Sequence, residues 1–128
     1  MSYNDFTEMP VWQLAMEVVT GVYSLTEKLP KKEDYALCCQ MRDAAISIPA
    51  NIADGFGRWH KKDKVNFYFY SRGSAFEERS HLLSGKQVGY FTDEEILPIS
   101  DKCRRLVEEL NKIIKGLNSK PRSPQPQP

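Results

Sequence analysis

The last third of the chain carries its strongest folding constraint. Ile96, Ile99, Cys103, Leu106, Leu110, Ile113 and Leu117 recur at alternating steps of three and four. Only a helix places all of these side chains on one seam, which Val107 and Ile114 widen. Thr92 followed by Glu95 reads as a capping box, in which hydroxyl and carboxylate each satisfy a free backbone N–H. Gly116, Asn118 and Pro121 mark the end. Pro98 falls in the first turn or two, and its place relative to the cap decides whether it fits or bends the helix.

Three more segments supply the partners this seam needs. From about Pro10 to Leu29, Val11, Leu14, Val18, Val22, Leu25 and Leu29 form a stripe, with Trp12, Ala15, Val19 and Tyr23 alongside. Pro10 suits a first helical position, and Pro30 stops the run. From Glu33–Asp34 to about Gly57, Cys38, Met41, Ala45, Ile48 and Ile52 keep helical spacing through Pro49. The reading is one helix kinked at Pro49, where the proline withholds a donor from the Ala45 carbonyl. From Asp63 to Val88, Val65, Phe69, Phe76 and Leu83 share one face, with Tyr68, Ala75 and Leu82 beside it. Gly73 lies mid-helix, where glycine commonly marks a close helix approach.

The expected fold is therefore all-α: an antiparallel up-down-up-down four-helix bundle over 1–118, with a disordered Pro-rich tail over 119–128. One domain agrees with 128 residues. Phe67, Tyr68, Phe69 and Tyr70 occupy all sides of the third helix. One core cannot bury them all, which points to contact with further copies of the chain.

Charge and composition exclude several classes of function. Eighteen Lys+Arg against seventeen Asp+Glu give a net charge of +1, so bulk charge does not mark a nucleic-acid binder. The balance is nevertheless uneven, about −3 over 1–60 and +4 over 61–128. Three cysteines make no disulfide framework, and no apolar run approaches a membrane span, so the expectation is a cytoplasmic protein without a membrane partner. Glu78 and His81 have the E-x-x-H spacing of di-iron helices, but the second motif such sites require is missing. No zinc spacing, phosphate loop or nucleophile signature is present, so no enzyme, cofactor, metal or small-molecule substrate is expected.

Two constellations remain. Arg58, Trp59, His60, Lys61, Lys62 and Lys64 form the densest basic run, in the connection before the third helix. Cations interleaved with an aromatic suit phosphate contact and base stacking; a solvated polar loop is the alternative. Ser47, Asn51 and Asp54 share a helix face beside Pro49, with Arg42 two turns earlier. These four read as a polar cluster that serves the kink or, alternatively, as a partner site. Ser47, Asn51, Arg42 or a side chain of another helix are its candidate donors to the freed Ala45 carbonyl.

The stretch from Ser47 to Arg58, SIPANIADGFGR, resembles the 23S rRNA intervening-sequence proteins, a family of four-helix bundles. Val11–Ala15 (VWQLA), the Tyr35–Arg42 region with Gln40, and Arg72-Gly73-Ser74 with Glu77 extend the resemblance over about residues 6 to 115. Asp54 stands where the family usually has Glu, and Glu78-Arg79 where it often has Leu-Glu. The resemblance implies a ring assembly, commonly a homopentamer. Some members are encoded within 23S rRNA genes. A related branch, the accessory variability protein of diversity-generating retroelements, binds a reverse transcriptase and nucleic acid. The expected function is a non-enzymatic homo-oligomeric scaffold that contacts RNA or a nucleic-acid-bound protein. The alternative is a protein-interaction ring with no nucleic-acid role.

Overall fold

The computed structural model describes residues 2–119, so most of the expected tail lies outside the described residues. Four helices follow one another: α1 (Pro10–Thr26), α2 (Leu37–Gly57), α3 (Lys61–Gln87) and α4 (Asp93–Asn118). No strand occurs among the described residues. Each helix packs on its chain neighbours, and α4 closes on α1. Side-chain bonds fix the directions. Ser47 meets Ser74 and Lys64 meets the carbonyls of Gly55 and Phe56, so α3 runs back along α2. Arg72 meets Asn111 and Arg79 meets Ser100, so α4 runs back along α3.

The termini follow local chemistry. Pro10 is the first residue of α1. The helix stops at Thr26, short of Leu29, where the Thr26 hydroxyl donates to the carbonyls of Val22 (2.7 Å) and Tyr23 (3.3 Å). Leu29 still reaches the core by a turn in which its N–H donates to the Thr26 carbonyl. α2 starts at Leu37, later than the expected start at Glu33–Asp34, because Lys31–Glu33 make a separate 3-10 turn. The Glu33 carboxylate then accepts from the Leu37 N–H, one of the free donors of the new helix.

α2 is helical through Pro49, which is buried. The capping box of α4 is formed: the Thr92 hydroxyl accepts from Glu95 N–H at 3.2 Å, and the Glu95 carboxylate accepts from Thr92 N–H at 2.9 Å. Pro98 is the sixth residue of α4, beyond the four positions whose N–H groups have no helical partner.

The core runs the length of the bundle, from Val11 and Ile114 at one end to Leu29 and Phe91 at the other. In α3 the buried face differs from the one the apolar pattern suggests. Val65, Tyr68, Ser71, Ala75, Glu78, Leu82 and Gly85 point inward, whereas Phe69, Phe76 and Leu83 are 38%, 51% and 52% exposed. The inward face is interrupted by polar and small residues, so its period is weak to the eye. Gly73 is also not a close approach, since a Cβ there meets open space. Gly55 and Gly85 hold that role, beneath the rings of Tyr68 and Phe91.

The two poles of the bundle are built differently. At the pole holding the α1–α2 and α3–α4 connections, Lys28 pairs with Glu95, Lys86 with Asp93, and the Tyr90 hydroxyl donates to Glu33. At the other pole, Phe6 of a 3-10 turn (Phe6–Glu8) packs edge-on against Trp12 and Phe56. Arg58–His60 join α2 to α3 there.

Candidate nucleic-acid interface

The basic run is mostly helix rather than loop. Lys61, Lys62 and Lys64 lie in the first turn of α3, and only Arg58, Trp59 and His60 form the connection. His60 makes no side-chain hydrogen bond at the N-cap position. Lysines at a helix N-terminus oppose the helix dipole, which favours negative charge there. The fold thus holds free amides beside the exposed cations Lys61 and Lys62, with Asp63 the one acid of that turn, an arrangement that can receive an anionic oxygen.

These side chains divide by environment. Trp59 is 89% exposed, and His60, Lys61 and Lys62 are exposed beside it. The Arg58 guanidinium lies 4.4 Å from the ring centroid of Phe67, which orients it as a plate over an aromatic face. Lys64 turns away from the group. Its ammonium donates to the carbonyls of Phe56 at 2.8 Å and Gly55 at 3.2 Å, so it closes the C-terminus of α2. Burial lowers its pKa below the usual lysine value.

The polar residues near Pro49 do not form one cluster. The Asn51 amide donates to the carbonyl (2.9 Å) and hydroxyl (3.0 Å) of Ser47, and Ser47 meets Ser74 across the α2–α3 seam at 2.8 Å. Arg42 faces α1 instead. Its guanidinium donates to the Thr26 hydroxyl at 2.9 Å and stacks 4.4 Å from the Tyr23 ring centroid. Asp54 is exposed. Ser47, Asn51 and Arg42 all bond elsewhere than the Ala45 carbonyl, and the inter-helix donor beside Pro49 is Ser71, which reaches Ile48.

One buried acid was not legible as such from its E-x-x-H context. Glu78 is fully buried on α3, and neither carboxylate oxygen has a hydrogen-bond partner. Burial, with a smaller contribution from the charge of Glu77, pushes its pKa up to about 9. Nearby Cys103 is pushed up to about 12, by burial first and then by Glu78. His81, the other half of the motif, bonds Glu77 at 3.1 Å. No group of three or more metal-ligating side chains comes together among the described residues. Nor is any helix there long and apolar enough to cross a membrane.

Comparison with known proteins places this architecture. A crystal structure of a protein with unknown function, from the S23 ribosomal protein family of Bacteroides thetaiotaomicron VPI-5482, superposes with a TM-score of 0.76 at 21% identity. The match covers 82% of this chain and 98% of that one, which establishes the shared fold. No curated protein matches the sequence. The family model described as 23S rRNA-intervening sequence protein matches residues 7–112, and the chain belongs to that family.

Proposed function

We propose that the protein is a non-enzymatic, homo-oligomeric binding module, too weak as a single copy but effective as a ring, that contacts RNA through the α2–α3 connection. The observation that carries this reading is the exposed Trp59, set beside the cation-rich, uncapped N-terminus of α3. The indole offers a stacking face, while Arg58, His60, Lys61 and Lys62 supply phosphate contacts. Lys64 supports them from beneath by holding the end of α2.

Self-assembly is supported by the exposed stripe of Phe69, Phe76 and Leu83, spaced seven residues apart on one face of α3. A cyclic homo-oligomer, a pentamer by the family resemblance, covers such a stripe and repeats the basic pole around one rim. A bend in α2 at Pro49 would shape that outer surface. Pro49→Ala is then expected to change the assembly mass measured by light scattering.

The test of RNA contact is retention of a single-stranded RNA oligonucleotide against salt. Wild type is compared with a variant carrying Arg58→Gln, Lys61→Gln and Lys62→Gln. Affinity that falls with salt in wild type, with a shallower slope in the variant, supports the reading. Equal, salt-independent retention by both overturns it and favours a ring that grips protein alone. The near-balanced net charge of +1 suits that second reading.

A further inference from the structure

A cleft of about 540 Å³ opens at the pole that holds the α2–α3 connection, between the N-terminal segment, the start of α3 and the end of α4. Its volume falls within the range of small-molecule pockets. The walls are apolar and aromatic: Tyr3, Val11, Phe56, Tyr68, Ile113 and Leu117. Two charged side chains also line it, Lys64 and Glu109. Their charges are not equivalent. Glu109 is exposed and already paired with Lys112 at 3.4 Å. Lys64 is partly buried, and its partners among the described residues are two neutral carbonyls. An ammonium has three protons to donate, so one remains beyond the two bonds to Gly55 and Phe56.

Tyr68 adds a second donor. Its ring is 3% exposed and lies against Gly55. Burial alone raises the phenol above its usual pKa, with no hydrogen bond contributing. Among the described residues, an apolar cleft thus carries one cation with no carboxylate partner and one phenol in the same wall.

We propose that this cleft is a binding site for a small apolar monocarboxylate, its hydrocarbon part against Val11, Phe56, Ile113 and Leu117 and its carboxylate accepting from Lys64 and Tyr68. Charge complementarity selects the headgroup. A carboxylate supplies the counter-charge that Lys64 lacks among the described residues, whereas an amine would place a second cation against it. The aromatic and aliphatic walls select a tail of several carbons. The RNA contact uses the exposed side chains of the neighbouring connection, so the two sites share only Lys64, which supports that connection through the end of α2.

The probe is octanoate, titrated into the full-length chain by calorimetry, with octan-1-ol and octylammonium as controls. Methyl NMR of Val11, Ile113 and Leu117 reports the location. The expected result is saturable octanoate binding that shifts those methyls, with both controls weaker by about tenfold or more. Tyr68→Phe, which keeps the ring, is expected to weaken octanoate several-fold and leave octanol unchanged. Lys64→Met is expected to abolish the preference for octanoate. Leu117→Trp, which fills the cleft from the end of α4, is expected to block binding without lowering the melting temperature. Equal affinity for the three probes, shifts located elsewhere, or no saturable binding because another segment or a second copy fills the cleft would each overturn the proposal.

Discussion

Ser71 on α3 donates its hydroxyl to the backbone carbonyl of Ile48 on α2 at 2.8 Å, one residue before the proline inside that helix. Both residues are fully buried. The bond ties the two helices at the level where Pro49 leaves α2 one backbone donor short. Ser71→Ala removes the hydroxyl and leaves a buried acceptor with one bond fewer. The expected cost is about 1–2 kcal/mol, read as a lower urea midpoint with an unchanged slope. An unchanged midpoint would show that the carbonyl needs no second donor.

Glu78 gives the bundle an unusual pH dependence. Its folded-state pKa is raised to about 9, against an ordinary value of 4.5, so the folded chain keeps a proton that the unfolded chain releases. The sign follows from linkage. The contribution of this group is fully present below pH 4.5 and is lost as pH rises toward 9. Within that window it lowers stability by roughly 1.4 kcal/mol per pH unit. Glu78→Leu is expected to be more stable than wild type at pH 7 by about 2–4 kcal/mol, with the gap widening at pH 8.5 and closing near pH 4.5. Urea unfolding of both proteins at the three pH values checks this. A gap that narrows as pH rises would mean that the carboxylate is ionised and paired.

Two glycines of α3 are expected to respond oppositely to the same change. At Gly85 an added Cβ runs into the ring of Phe91, a buried core residue that would have to shift. Gly85→Ala is expected to cost about 1–3 kcal/mol. At Gly73 the methyl meets open space, so Gly73→Ala is expected to stabilise by about 1 kcal/mol through helix propensity alone. Thermal melts of the two variants beside wild type give both signs in one experiment.

Pro98 is an exposed proline inside α4. It withholds the N–H that would reach the Glu94 carbonyl, and no core contact depends on its ring. Pro98→Ala is expected to raise stability by about 1–3 kcal/mol, seen as a higher melting temperature. A loss of stability would show that the rigid φ of proline is needed to set the start of α4.

Much of the fold could be read from spacing, for a physical reason. In α1 and α4 the core positions are filled almost without interruption by Val, Leu and Ile, so the helical period is also a period in hydropathy. α3 breaks that equivalence. Its core positions include Ser71, Glu78 and Gly85, while Phe69, Phe76 and Leu83 stand outside, and composition therefore indicates the wrong face. Glu78 was not legible as a buried group, because its face of α3 is defined only once Ser71 and Gly85 are seen to point inward with it. The basic run was visible as a run. That Lys64 turns back to the end of α2 was not, because the bond is made to backbone carbonyls, which no side-chain pattern encodes. Likewise, Arg42 shares a helix with Ser47 and Asn51 but faces α1, a separation that linear spacing does not reveal.

The unequal poles bear on where the molecule yields. One is stitched by Lys28–Glu95, Lys86–Asp93 and Tyr90–Glu33; at the other, among the described residues, no ion pair spans two helices, and Lys64 ties α3 to the end of α2 through backbone carbonyls alone. Fraying is therefore expected to start at the pole without inter-helix ion pairs, with amide exchange there running ahead of exchange at the opposite end. A ligand seated in the cleft at that pole is then expected to slow exchange there first, and least at the end that Lys28–Glu95 already holds.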